Sequence, residues 1–377
     1  MDNTAYMSTK IIVVSAVNLN VGGTLTILRD CLRYLSTLAA KNEYRVVAVV
    51  YKKELAYYPN IEYIETKWPK KRWLNRLWYE YVSMKKISKD IGAVYLWFSL
   101  HDTTPNVIAE RRAVYCHNPF PFYKWKWRDV LLAPQFVLFA LFSKFYYQKN
   151  IHLNNQVVIQ QQWMKEAFHR LFHLSKDKLI VALPDLPKWD EFANEESIVI
   201  DGEYRFVYAA SPNSHKNFEC LCQAAALLEK EGVTGFKVLI TVAGTENKYA
   251  RWLYKKWGKS TSSIRWIGFQ SRESLFSYYT QSHCLVFPSK AETWGLPISE
   301  FSTLKKPMLL ADMPYAHETA AGNEQVAFFK PEDPTVLADQ MRKLIQRDRS
   351  FLRAIPAKEY ENPVTHSWED LFSILTQ

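Results

Sequence analysis

The stretch Cys284–Glu300, CLVFPSKAETWGLPISE, decides how this chain is read. Four apolar residues form a short buried strand. A polar loop follows, and then a Gly-containing turn at Gly295 that opens a helix. Such a turn offers unpaired backbone N–H groups and the positive end of a helix dipole, which together favour an anion. Two carboxylates flank it, Glu292 in the loop and Glu300 about one turn into the helix. Neither carboxylate suits a phosphate, because like charges repel. Both suit hydroxyl groups, a sugar at one end and a ribose at the other.

Outward from this segment, short apolar runs alternate with helix-length stretches. Toward the amino terminus the runs are Ile11–Ala16, Arg45–Val50, Ile61–Glu65, Ala93–Ser99, Arg112–Cys116, Gln156–Gln160 and Lys178–Leu183. Leu25, Leu28, Leu32, Leu35 and Leu38 recur at spacings of three and four, one face of a helix. The alternation pauses over Pro184–Gly202, which is rich in proline and acid. It then resumes with Tyr204–Ala210, Phe236–Ala243, Ile264–Ile267, Cys284–Pro288 and Pro307–Ala311. Buried strands alternating with helices indicate parallel sheets wrapped by helices. The expected fold class is therefore α/β, with two doubly wound, Rossmann-like domains facing a central cleft. The predicted boundaries are 1–187, a linker at 188–203, 204–350, and a helical segment at 351–377 that returns to the first domain. Ligands in such sheets bind beyond the carboxyl ends of the strands.

Composition narrows the chemistry. The 377 residues carry a formal net charge of +10 and 15% aromatics, too hydrophobic for a disordered chain. Residues 1–187 hold 26 Lys and Arg against 14 Asp and Glu, whereas residues 188–377 hold 22 against 24. The excess positive charge thus belongs to the first half. The five cysteines lie mostly in apolar runs and fit a reducing compartment. There is no G-x-G-x-x-G, P-loop, Asp-x-Asp, HExxH or paired Cys motif, so neither a dinucleotide nor a metal is expected. The start, MDNTAYMSTK, does not read as a secretory signal.

The segment around Glu292 and Glu300 resembles the donor-binding motif of the GT-B glycosyltransferases, retaining family 4 type. Thr293 and Trp294 stand where that family usually has Gly and Phe. The resemblance runs through nearly the whole chain. Gly22-Gly23 opens the first helix after the first strand. His117 follows the strand ending at Cys116, and His101-Asp102 follows the preceding strand. Lys216 lies in the loop Ser211–Asn217 (SPNSHKN), and Gly268-Phe269 follow a later strand. What the resemblance implies is as follows. Glu292 and His117 orient the donor sugar, Lys216 stabilises the diphosphate, and these three are the catalytic candidates. Glu300 holds the ribose, and backbone at Trp294, Gly295 and Leu296 meets the diphosphate. Gly22, Gly23, Gly268 and Phe269 line the donor site, and His101 and Asp102 the acceptor side. Ala210 occupies the family's Arg position, so one cation is missing, and a protonated His215 is a candidate to help.

The implied reaction is metal-independent, retaining hexosyl transfer from a UDP- or GDP-sugar to a glycan hydroxyl, with no cofactor. The route is a front-side displacement in which the leaving phosphate helps deprotonate the acceptor. A polyprenyl-diphosphate-linked acceptor in assembly of a surface polysaccharide such as capsule or O-antigen fits the basic first half. Lys67–Lys89 interleaves eight basic residues with Trp68, Trp73 and Trp78, and Phe120–Phe142 joins FPFYKWKWR to an apolar run. Basic, aromatic and apolar residues together mark an interfacial surface. The run is too short to span a bilayer, so the expectation is a cytoplasmic protein peripheral to the inner face of the membrane. Two alternatives remain open. The same residues would bind single-stranded nucleic acid, although that leaves Glu292 and Glu300 without a role and is not the expectation. The chain would be a non-catalytic GT-B scaffold if the missing Arg disabled it.

Overall fold

The computed structural model describes residues 9–20, 22–184 and 202–377. Most of the predicted linker at 188–203 lies outside these residues. The chain divides into two compact units. The first comprises residues 1–118, 143–185 and 360–377, and the second 119–142 and 186–359.

The strands of the first unit are β1 (Lys10–Ser15), β2 (Tyr44–Val50), β3 (Ile61–Glu65), β4 (Val94–Ser99), β5 (Arg111–Cys116), β6 (Gln156–Ile159) and β7 (Leu179–Ala182). The second unit holds β8 (Tyr204–Tyr208), β9 (Phe236–Ile240), β10 (Ile264–Trp266), β11 (Cys284–Phe287), β12 (Met308–Ala311) and β13 (Val326–Phe329). One short strand, β14 (Val364–Thr365), completes the first unit's sheet. Among the described residues the first sheet runs β14-β7-β6-β5-β4-β1-β2-β3, and the second β10-β9-β8-β11-β12-β13. All the strand pairs are parallel. Parallel strands need helical crossovers that cover both faces, which is why these strands read as unbroken apolar runs.

In each sheet the winding direction reverses beside its first strand, between β1 and β4 and between β8 and β11. Loops leaving the carboxyl ends of such neighbours diverge to opposite faces and leave a crevice. The residues singled out after β1, β4, β8 and β11 all sit beyond these reversal points.

Helix Gly22–Ala40 buries Leu28, Leu32, Leu35 and Leu38 against the first sheet, with Leu25 half-buried beside them. Helix Trp368–Leu375 packs Leu371, Phe372 and Leu375 into the same core. Residues 360–377 are clasped to the first unit. Lys165, 0% exposed, donates to the carbonyls of Glu361 at 2.9 Å and Asn362 at 2.6 Å. β14 then pairs with β7.

The division departs from the predicted boundaries at residues 351–359, which stay with the second unit so that the return begins at Tyr360, and at residues 119–142. The sequence places the latter in the first domain, but they pack on the second unit. The physical reason is an aromatic cluster. Phe120, Tyr123 and Ala291 are buried together, and Phe136, Phe139 and Ala140 pack against them.

Candidate active site

The second unit's crevice is built from two loops. After β8, the chain passes through Ser211–Lys216 to Asn217, whose φ of 58° is left-handed. That conformation is open to asparagine at low cost. Asn217 Nδ2 donates to the carbonyl of Pro288 at 3.0 Å and to that of Pro331 at 2.8 Å. One buried side chain thereby ties together the loops that follow β8, β11 and β13. The Tyr208 hydroxyl donates to the Lys216 carbonyl at 2.7 Å, and Lys290 N–H to the His215 carbonyl at 2.8 Å. Nothing in the sequence pattern marks Asn217, because its partners lie 71 and 114 residues away.

The tied loops bring two predicted residues together. Lys216 Nζ lies 2.5 Å from Glu292 Oε1, with both side chains largely but not wholly covered. An ammonium with donors to spare and a carboxylate with a second oxygen thus share one ledge. Beneath it lies a pair that sequence reasoning missed. Lys290 Nζ is 3.4 Å from Glu219 Oε1, and Glu219 also accepts from the Tyr249 hydroxyl. Lys290 is a further ammonium in the loop that follows β11. At the position where the family's Arg is absent, Ala210 N–H donates to Thr241 Oγ1 at 2.9 Å, and that hydroxyl donates back to the Ala210 carbonyl.

Gly295 caps the helix Leu296–Ser302 with φ 86°. A Cβ there would meet Ile298 at 3.2 Å and Tyr315 at 3.4 Å, so both conformation and space favour glycine. The helix has seven residues, just under two turns. The Trp294 side chain turns inward and donates to Ser299 Oγ at 2.8 Å. Its indole therefore serves the fold, which leaves backbone as its route to a ligand. Glu300 is reached by the Tyr279 hydroxyl at 3.3 Å, and burial pushes its carboxyl above the ordinary value. Gly268, with φ 68°, and Phe269, 92% exposed, follow β10.

His215 is not the protonated helper that the sequence suggests. Its ring is buried against Phe120 at 5.3 Å, Phe136 at 5.8 Å and Tyr123 at 6.3 Å. Burial, reinforced by Lys216 and Lys290, pushes its pKa well down, so the ring is neutral.

The first unit's crevice is arranged differently. Gly22 and Gly23 open the helix after β1 and are exposed, with Gly22 at φ 60°. Asp102, left-handed at φ 71°, accepts the His117 N–H at 2.8 Å. His117 Nε2 donates to the Leu100 carbonyl at 2.9 Å, which fixes where that proton sits. His101 is 1% exposed, 3.1 Å from Thr103 Oγ1 and 3.6 Å from Glu80 Oε1. Its ring is therefore held inside a buried network, away from the acceptor-side position expected of it. Glu80 anchors that network, accepting from Arg76 Nε (2.9 Å), Thr103 Oγ1 (2.7 Å) and the Tyr146 hydroxyl (2.9 Å). Burial pushes the Glu80 carboxyl up, but Arg76 and His101 outweigh it and hold the group below its usual value. Glu80 lies on a π-helical turn, Tyr79–Ser83, and no sequence signal marks it.

Residues 190–359 match the family model described as Glycosyl transferases group 1. No curated protein sequence matches the chain. Among solved structures, the chain is similar to a glycosyltransferase from Rickettsia africae ESF-5, at 16% identity and TM-score 0.64, covering 90% of this chain and 88% of that one. It is similar to sucrose-phosphate synthase from Thermosynechococcus elongatus at 15% identity and TM-score 0.62, covering 92% of both chains. It is also similar to WaaG, a glycosyltransferase involved in lipopolysaccharide biosynthesis, at 11% identity and TM-score 0.63, covering 89% and 90%. The segment carrying Lys216, Glu292 and Glu300 thus lies within the stretch that matches the glycosyl transferases group 1 model, in a chain of GT-B fold.

Proposed function

We propose that this protein transfers a hexosyl group from a nucleoside diphosphate sugar to a glycan hydroxyl, with retention and without a metal. The observation that carries the reading is the Lys216–Glu292 pair, held at the reversal point of the second sheet by Asn217. Lys216 neutralises charge that develops on the leaving diphosphate, where a fixed cation is worth most. Lys290 adds a second positive charge close by. Glu292 accepts hydrogen bonds from the sugar, and Glu300 from the ribose. His117, braced by Leu100 and Asp102, has the sugar-orienting role that the family resemblance implies. The leaving phosphate oxygen takes the acceptor's proton, so the chain's part is positioning and electrostatics.

The acceptor is lipid-linked, and the protein works at the inner face of a membrane in surface-polysaccharide assembly. Support comes from exposed Trp73, Leu74 and Trp78 amid the exposed Lys70, Lys71, Arg72, Lys85, Lys86 and Lys89. Among the described residues no helix is long and apolar enough to cross a membrane. The test is thermal-shift screening against UDP- and GDP-sugars, followed by transfer assays with the stabilising donor. One donor is expected to raise Tm in the wild type and less in Glu300→Ala. Absence of any nucleotide binding would favour the non-catalytic scaffold.

A further inference from the structure

The segment that crosses into the second unit turns large apolar side chains outward. Within helix Pro134–Gln148, Leu138, Leu141, Phe142 and Phe145 are exposed by 47% to 67%. Their spacings of three, four and seven place them along one side of the helix. Exposed Trp125, Trp127 and Leu131 precede them. Residues 119–150 carry five basic side chains and one acidic residue, Asp129. Asp129 is buried, accepting from the Tyr123 hydroxyl and from Lys126 N–H. Lys124, Lys144 and Lys149 are exposed. The outward face is therefore apolar and aromatic, fringed by Lys124, Lys144 and Lys149, while Lys126 is paired with Glu332 at 3.1 Å.

That combination fits an anionic bilayer better than a second copy. A stable dimer recruits roughly 20–30 residues a side, far more than this stripe offers. A helix apolar on its exposed side as well as its packed side can lay the exposed side in the headgroup region, with Lys124, Lys144 and Lys149 to meet the phosphates. At 15 residues the helix is about 22 Å long, suited to lying flat rather than crossing.

The inner face of the same segment touches both donor loops. Phe120, Tyr123 and Phe136 surround His215, the neighbour of Lys216. Phe120 and Tyr123 also pack with Ala291, the neighbour of Glu292. We propose that helix Pro134–Gln148 docks in an anionic lipid surface through Leu138, Leu141, Phe142 and Phe145, and that docking orders the Lys216 and Glu292 loops through the aromatic cluster around His215. The inference deepens the membrane reading above: it names the element that enters the lipid and makes lipid a regulator of the donor site.

The experiment needs neither donor nor acceptor. Flotation with vesicles of phosphatidylcholine containing about one third phosphatidylglycerol is compared for wild type, Leu141→Ser/Phe142→Ser/Phe145→Ser and Trp73→Ser/Trp78→Ser. These side chains are exposed, and unchanged Tm checks that the variants fold. The helix variant is expected to lose about tenfold or more in vesicle binding, and wild-type binding to fall with salt and without phosphatidylglycerol. Hydrogen exchange then reads the amides of Asn213, Lys216 and Asn217, which bond to Ser211, Asn213 and Ser214. Vesicles should slow these amides in the wild type and not in the helix variant. Equal vesicle binding by the helix variant, or loss only in the Trp73/Trp78 variant, overturns the docking surface. Binding with unchanged exchange overturns the coupling. A wild-type dimer that the helix variant abolishes assigns the face to a second copy. Failure of glycosyl transfer would leave both readouts untouched.

Discussion

Both units carry a histidine on the loop beyond a strand at the sheet's reversal point, and they bury it in opposite ways. His101 lies among charges, within reach of Glu80 and near Arg76. His215 lies among aromatic rings, with Lys216 and Lys290 as the charges acting on it. Burial lowers the pKa of both. Glu80 pulls His101 back upward, whereas Lys216 and Lys290 push His215 further down. The lesson concerns where charge is spent. The first unit uses a closed charge network to shape its loop. The second keeps its charges at the ledge and wedges the loop with rings.

Glu80→Ala should break the first arrangement most severely. It strands Arg76 and strips Thr103 and Tyr146 of their acceptor. Losing one partner of a buried pair costs about 3–5 kcal/mol, measurable by denaturant unfolding. Lys216→Ala should do the reverse in the second unit, with stability nearly unchanged and kcat down by about 100- to 1,000-fold, the scale for losing a transition-state donor. Equal effects of the two variants on stability would erase the contrast.

Two smaller effects sharpen it. The Glu300 carboxyl sits above its ordinary pKa through burial. Its stabilising contribution is full at low pH and is lost as pH rises through the folded pKa. Glu300→Gln should therefore raise Tm at neutral pH while weakening donor binding about tenfold, one hydrogen bond to a charged group. Calorimetry reads both. His215 has the opposite sign. Its folded pKa is depressed, so the folded state disfavours a proton that the unfolded state accepts below about pH 6.5. Stability should fall there by up to about 1.4 kcal/mol per pH unit. His215→Phe should remove that part of the slope in pH-dependent melts.

Local pattern carried most of the architecture. Strand β3 coincides with the predicted Ile61–Glu65, and β2, β4, β6 and β11 differ from expectation by a residue or so at their ends. Buried parallel strands announce themselves as apolar runs, and Gly295 announces its turn. What stayed hidden depends on distant partners. β14 is two residues long and exists as a strand through β7. β13 is four residues and pairs with β12. Residues 119–142 look like part of the first domain until Phe120 finds Ala291. Among candidate site residues, Glu292 stands out beside the Gly295 turn and Lys216 through the family resemblance, and the structure brings the two together. Glu80, Asn217 and Lys290 were not legible, because they find partners on segments that only the fold brings together.

The return of residues 360–377 to the first unit bears on the order of folding. Lys165 has its carbonyl acceptors, and β7 its outer neighbour, only when that segment is present. Domains emerging from a ribosome generally fold in sequence order. Here the amino-terminal unit would wait, one sheet edge bare and one lysine unanchored, until residues 360–377 were synthesised. The second unit has all its segments by residue 359 and is free to finish first.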